Sequence, residues 1–294
     1  METPKAKSPV WASLASILMT IAIFLSGLYA PKGWNWALVM FLMIVFIALI
    51  GWLITGRPSG IFINELNKMT MSRFQLVIWT VIVLSAFLTI ALERIKAGSP
   101  TPLDIALPQQ LWALLGISTT SLVGSPLILS TKVQKTPTPG AIRKAAKILI
   151  KKGKDSNKRQ ILADAEETDA PQQKKDDAEK LIGDAEKIIR ENAKVSGVLD
   201  SNPRFGDANF SEMFTGDEIA NKGFVDMAKV QMFFFTLIIA FSYMVLLVNL
   251  IMTADPAGPL LNSFPPLNDS LVALLGISSA GYLTSKTVGR TTTL

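Results

Sequence analysis

The residue types that most often perform catalysis are scarce in this sequence. It contains no cysteine and no histidine among its 294 residues, which excludes disulfides, thiolate nucleophiles and ordinary histidine-based zinc or acid–base sites. It has no glycine-rich phosphate loop and no nucleophile motif. A metal site built from carboxylates alone stays open, although no spacing indicates one. The sequence therefore predicts a protein that is not an enzyme and has no cofactor.

Small and polar side chains at helical spacing are what the apolar segments offer instead. In one segment glycine and threonine recur every four positions beside a stripe of serines, and a later segment repeats the pattern. These residues are Gly116, Ser118, Thr120, Ser121, Gly124, Gly276, Ser278, Ala280 and Gly281. Small-xxx-small stripes allow helix backbones to approach closely. We interpret them as helix-packing faces, with a hydroxyl-lined pore wall as the alternative.

A third polar set lies in the apolar segment between these two regions of the chain. Gln231, Ser242 and Asn249 are separated by 11 and 7 residues, which places them on one face of a helix. A polar face within a membrane requires a partner or water. We therefore add these three residues to the predicted packing or pore face.

The stripes belong to a unit that the sequence contains twice. Leu-Leu-Gly-Ile-Ser stands at residues 114–118 and again at 274–278, each time after a proline-containing turn and a long apolar segment. Those long segments also begin alike, with Arg73 or Lys229 two positions before a glutamine. The shared order and spacing predict two parallel hairpin repeats.

Residues 210–218, 229–236 and 274–283 resemble an uncharacterised group of bacterial inner-membrane proteins. That group shares a phenylalanine-rich span preceded by Lys/Arg-x-Gln and a Leu-Leu-Gly-Ile-Ser hairpin, both of which are present here. The likeness covers the two hairpins and the segment before the second, not the first two spans. It implies a location in a bacterial inner membrane and implies nothing about mechanism.

Composition indicates a membrane protein, since 49% of the residues are hydrophobic and only 18% are charged. We predict an all-α, polytopic fold with six transmembrane helices at residues 10–30, 34–55, 74–92, 111–129, 230–252 and 271–285. The predicted domains are an N-terminal hairpin at 1–55, repeat hairpin 1 at 56–132, a cytosolic helical insert at 133–228 and repeat hairpin 2 at 229–294. No charged residue falls inside a predicted span, which argues against an ion-coupled transporter.

The positive-inside rule explains the net charge of +6 better than nucleic-acid binding does. With both termini in the cytoplasm, Lys5, Lys7 and the basic insert lie inside, and only Lys32, Arg94 and Lys96 lie outside. Basic residues near the inner surface are then expected at anionic lipid headgroups. They are Arg73, Lys229, Arg143, Lys144, Lys147 and Lys151.

The insert contains two helical patterns. Residues 141–152 alternate lysines with apolar residues at helical spacing, which is typical of a helix lying on anionic lipid; nucleic-acid binding is the alternative. Residues 177–190 repeat every seven positions, which predicts an amphipathic helix. That helix either packs on its own domain or docks a cytosolic partner through residues 177–194.

Together these patterns favour a membrane scaffold without enzymatic activity. We expect it to be homo-oligomeric through its small-residue faces, with an insert that positions or recruits a partner. The alternative is a passive channel for ions or small solutes, lined by the serine and threonine faces of the fourth and sixth spans.

Overall fold

The computed structural model describes residues 9–31, 33–153, 155–253 and 260–291. Within these ranges the chain is all-α, as predicted. Its helices are α1 Pro9–Tyr29, α2 Trp34–Thr55, α3 Met71–Lys96, α4 Gln109–Val133, α5 Pro139–Lys152, α6 Ser156–Ala165, α7 Gln172–Ser196, α8 Met227–Thr253 and α9 Asp269–Thr287. The predicted polar start with Lys5 and Lys7, Lys32, and residues 254–259 of the loop after α8 lie outside the described residues.

Five of the described helices, α1 to α4 and α8, are long and apolar enough to cross a membrane. Their 20 to 27 residues correspond to about 30–40 Å at 1.5 Å per residue, against a hydrocarbon thickness of about 30 Å. The chain is therefore consistent with a helical membrane protein. The less apolar α9 is not among the five, so the sixth span and the duplication of the hairpins stay predictions.

Helices α3, α4, α8 and α9 extend beyond the predicted spans and carry charged residues in their terminal turns. Helix α3 runs from Met71 to Lys96, so Arg73 lies in its first turn and Arg94 in its last. Arg94 is buried and donates hydrogen bonds to the backbone carbonyls of Leu261 and Thr101, at 2.9 Å and 2.8 Å. These charges were expected in loops, but backbone hydrogen bonding continues into the polar ends of the apolar segment.

Helix α3 lies at the centre of the bundle. It packs against α1, α2, α4 and α8, and α9 in turn packs against α4 and α8. Two polar contacts attach α2 to it: Trp36 donates its indole N–H to Ser85 Oγ at 2.9 Å, and Asn35 donates to Glu93 at 2.7 Å. The first hairpin is thereby held on the side of a four-helix core formed by α3, α4, α8 and α9.

Helices α5, α6 and α7 form a separate small core, which we call the helical domain (residues 139–196). Ile142, Ala146 and Ile150 of α5 are buried against Ile182 and Ile189 of α7. The apolar face of α5 is therefore covered by its own domain, which differs from the predicted helix lying on lipid. The predicted amphipathic helix around residues 177–190 is part of α7, and its apolar face is covered in the same contact.

Residues 197–226, the connecting segment, join the helical domain to α8. A capping box holds one of its short 3₁₀ helices, because Asn209 bonds the helix backbone and Glu212 bonds back to the backbone of Asn209. Phe214 in that helix packs on Phe233 of α8, with ring centroids 5.0 Å apart. Phe233 in turn stacks on Phe74 of α3 at 5.3 Å. The segment is thus fixed across one end of the bundle, which we call the domain end.

Candidate functional site

Four lysines stand at the domain end, one at or next to the end of each helix of the four-helix core. Lys68 precedes α3, Lys132 lies in the last turn of α4, Lys229 in the first turn of α8 and Lys286 in the last turn of α9. Each is only 3–4% exposed. Burying an unpaired ammonium costs several kcal/mol, so each of these lysines requires a counter-charge.

Asp217 supplies the counter-charge for two of them. Its carboxylate accepts a hydrogen bond from Lys229 at 2.8 Å and from Lys286 at 2.6 Å. The side chain is 20% exposed. Burial alone would raise the pKa of Asp217, but Lys286 and Lys229 outweigh it and hold that pKa well below its usual range. One aspartate thereby joins the first turn of α8 to the last turn of α9.

Glu218, the next residue, performs the same role for α4. It is 2% exposed and accepts a hydrogen bond from Lys132 at 2.6 Å. Its second oxygen accepts backbone N–H groups from Arg290, at 2.8 Å, and from Thr291. Lys132 also donates to the carbonyl of Val288 at 2.9 Å. This pair therefore fixes the segment after α9 against the end of α4.

Asp200 completes the set at α3. It accepts hydrogen bonds from Lys68 at 2.8 Å and from Lys222 at 3.2 Å. Burial would raise the pKa of Asp200, yet Lys68 and Lys222 lower it; burial would lower the pKa of Lys68, yet Asp200 and Asp217 raise it. Both groups are therefore charged at neutral pH. A cavity of about 10 Å³ between Lys68, Asp217 and Lys286 is the size of one water molecule.

A layer of uncharged polar side chains lies deeper in the four-helix core. All of its members are 0–4% exposed, and each has a polar atom without a hydrogen-bond partner among the described residues. They are Gln75, Trp79, Ser121, Thr236, Ser278 and Ser279. Leaving such a group unpaired costs about 1–3 kcal/mol, so this layer calls for water or a polar ligand.

Most members of this layer lie at about the same distance from the domain end along their helices. Ser72 and Tyr282 share a hydrogen bond of 2.9 Å between α3 and α9, just inside the lysines. Gln75 lies about one turn further into the core than Ser72 on α3, and Ser278 lies about one turn further in than Tyr282 on α9. On α8, Met232 packs against Tyr282, and Thr236 lies one turn after Met232. Polar groups thus extend from the domain end toward the middle of the helices.

The predicted packing stripe is partly buried and partly exposed. Ser118, Ser121 and Ser278 are buried in the core. Gly276 packs against the other motif copy, since an added Cβ would stand 3.5 Å from Ile117; at Gly124 it would stand 3.4 Å from Leu283. The remaining predicted residues lie on exposed surfaces of the chain. They are Gly116, Thr120, Ala280 and Gly281, together with the α8 face of Gln231, Ser242 and Asn249.

The residues expected at lipid headgroups have other partners. Lys229 is buried at Asp217, whereas Arg73, its counterpart in the repeat, is partly exposed and bonds to Glu65 at 2.9 Å. The four α5 residues that were predicted at headgroups contact the helical domain or the connecting segment. Arg143 bonds to Glu179, Lys147 and Lys151 pair with Glu166, and Lys144 lies 5.2 Å over the ring of Phe224.

Sequence reasoning missed the acidic half of the site. It placed Lys229 at the inner surface by charge alone and paired none of the four lysines with Asp200, Asp217 or Glu218. A signal was present, since each of the four core segments has a lysine at the same end. Four charges repeated at one level indicate a shared counter-charge, and the carboxylates lie in the segment that leads into α8.

The fold and the site together define the class: an all-α chain with five helices long and apolar enough to cross a membrane, whose four core helix ends are bonded to the connecting segment by buried ion pairs. Among the described residues, no group of three or more acidic side chains could hold a metal ion. Comparison of the chain with protein-family models, with curated proteins and with solved structures gives no match.

Proposed function

We propose that this protein is a non-enzymatic membrane scaffold that holds the helical domain in a fixed position at a bacterial inner membrane. In this proposal α9 is the sixth span, both termini are cytoplasmic, and the helical domain positions a cytosolic protein partner. The exposed small and polar faces of α4, α8 and α9 support assembly of several copies, because polar groups facing lipid gain from a partner helix.

The buried ion pairs at the domain end carry the proposal. A flexible tether would need no contact with the bundle, whereas here three carboxylates of the connecting segment bond four lysines at the ends of α3, α4, α8 and α9. Buried pairs with additional hydrogen bonds fix orientation more than they add stability. The arrangement therefore suits a platform whose domain must keep one orientation relative to the membrane.

A cleft in the helical domain is the best candidate for the docking surface. It has a volume of about 530 Å³ and lies between α5, the second half of α7 and the connecting segment. Leu149 and Ile188 line it and are 38% and 50% exposed. Exposed apolar side chains around a cleft are typical of protein–protein contacts. Ile188 also falls within residues 177–194, the predicted docking region.

We expect Ile188→Glu to release a partner while leaving the bundle folded, because a carboxylate at the rim of the cleft opposes apolar contact. The measurement is quantitative mass spectrometry of proteins that co-purify from native membranes, with a loss of about tenfold or more for the partner. Val195→Glu is the matched control, since Val195 is exposed on α7 outside the cleft. Equal recovery of every companion from both variants would contradict docking at this cleft.

A passive channel is the second candidate, and the unpaired polar layer is the observation that favours it. A permeant ion or solute crossing between the helices would pair with Gln75, Thr236 and the serines, which have no hydrogen-bond partner in the part of the chain that the structure describes. The lysines beside this layer would disfavour cations and favour small anions or neutral solutes.

Liposome flux measurements test the channel. If the wild type conducts, Gln75→Leu should lower flux by about tenfold or more, because it replaces a buried amide of the layer by an apolar group. Ser242→Val on the exposed face of α8 is the control and should conduct like the wild type. If liposomes that contain the wild-type protein are no leakier than empty liposomes, the channel hypothesis is excluded and the scaffold proposal stands.

A further inference from the structure

A groove on the bundle surface lies between α3 and α4. It has a volume of about 520 Å³, within the range of ligand-binding pockets. Its walls are apolar along the helices, and its polar end lies toward the domain end. Along the helices the lining is apolar, with Leu76, Val77, Leu122, Pro126 and Leu129. At the end near the domain, polar Asn64, Glu65, Ser72, Arg73 and Ser130 stand beside apolar Ile61, Leu66, Val133 and Leu199.

Pro126 gives this groove a backbone feature that the other helices lack within the described residues. It stands inside α4, where its missing N–H cannot bond the carbonyl of Leu122 one turn earlier. A proline at this position also opens the helix locally, because its ring crowds the preceding turn. Both residues line the groove, so the turn that lacks this hydrogen bond is part of its wall.

The polar end presents one positive and one negative charge side by side. Arg73 Nη2 donates to Glu65 Oε1 at 2.9 Å, and the two side chains are 32% and 74% exposed. A guanidinium has five N–H donors, so Arg73 keeps capacity to bind a phosphate in addition to this carboxylate. The Glu65 carboxylate likewise keeps lone pairs for an ammonium group.

From this geometry we propose that the groove binds a phospholipid with a zwitterionic amino headgroup. The phosphate lies on Arg73, the primary ammonium lies on Glu65, and one acyl chain follows the apolar wall along Leu76 and Leu122. Arg73 stands one turn before Leu76 on α3, so headgroup and acyl chain meet where the apolar segment begins. An anionic headgroup without an ammonium would face the carboxylate of Glu65 unpaired.

Native mass spectrometry of the full chain in detergent tests the site, with phosphatidylethanolamine, phosphatidylglycerol and phosphatidylcholine as competing probes. The wild type should retain phosphatidylethanolamine about tenfold better than phosphatidylglycerol. Phosphatidylcholine should also bind less well, because its quaternary ammonium cannot donate a hydrogen bond to Glu65. Equal retention of the three lipids, or preference for phosphatidylglycerol, would overturn the proposal.

Three variants separate the contributions of headgroup and groove. Glu65→Gln should abolish the preference for phosphatidylethanolamine, whereas Arg73→Gln should weaken binding of all three lipids. Leu122→Trp should weaken all three by filling the acyl path while leaving the charged pair intact. Arg159→Gln, an exposed change on α6, is the control for lost charge. The lipid site would be refuted if Glu65→Gln kept the preference for phosphatidylethanolamine. It would also be refuted if Leu122→Trp changed only the mass of the oligomer and not the retention of lipid.

Discussion

Replacing Asp217 with asparagine should lower the free energy of unfolding by about 3–5 kcal/mol. The amide keeps the shape of the carboxyl but removes the negative charge that bonds both Lys229 and Lys286. Both lysines are nearly fully buried, so neither can recover its hydration without movement of a helix end. The variant should therefore loosen the contact between the first turn of α8 and the last turn of α9.

Unfolding by SDS titration in mixed micelles, followed by far-UV circular dichroism, measures the effect. Asp184→Asn is the matched control, because Asp184 is exposed on α7 and should change stability by less than about 0.5 kcal/mol. If Asp217→Asn were as stable as this control, the lysines would have to be neutral or hydrated, and the ion-pair layer would not hold the bundle together.

The difference between wild type and Asp217→Asn should also depend on pH with a definite sign. The pKa of Asp217 is lowered in the folded protein, so its contribution is complete above the pKa of an unfolded aspartate, about 3.9. It should stay constant from pH 8 to about pH 5 and decrease as pH falls through 4 toward the folded pKa. A difference that grew as the solution became more acidic would contradict the assignment.

Gly197→Ala should lower the free energy of unfolding by more than about 2 kcal/mol. Gly197 ends α7 with φ of 59° and ψ of −126°, a conformation that side chains with a Cβ rarely adopt. A Cβ there would also overlap the carbonyl oxygen of Val133 and stand 2.6 Å from that of Lys132. Those atoms are backbone at the end of α4, so relief requires separating α7 from the bundle.

Gly183→Ala is the natural comparison, because it makes the same chemical change in the middle of the same helix. A Cβ at Gly183 meets no atom within 4 Å, and alanine has the higher helix propensity. This variant should raise stability by about 0.5–1 kcal/mol in the same titration. Equal effects of the two substitutions would show that the close approach at Gly197 does not exist in solution.

The long helices could be predicted from sequence because their signal is local. The predicted second span, residues 34–55, coincides with α2, and its start and end follow from the glycines beside it. The ends of α3 could not be placed as well, since Arg73 and Arg94 are polar residues that a hydropathy pattern assigns to loops. Their helical conformation depends on backbone hydrogen bonds and on partners such as the carbonyl of Leu261.

The site was harder to predict because its halves are far apart in the chain. Lys132 and Glu218 are separated by 86 residues and Ser72 and Tyr282 by 210, so no spacing rule connects them. Which members of the small-residue stripe are buried also depends on the position of each neighbouring helix. Ser118 faces the core while Gly116, two residues earlier, faces outward.

The positions of the paired charges along the chain determine how early the domain end can close during synthesis. Lys68, just before α3, and Lys132, in the last turn of α4, are synthesised early, but their partners Asp200 and Glu218 are translated 132 and 86 residues later. We therefore expect the ends of α3 and α4 to lack these counter-charges during synthesis until the connecting segment has been made. A nascent chain stalled before residue 200 lacks all three carboxylates, so we expect its domain end to stay open.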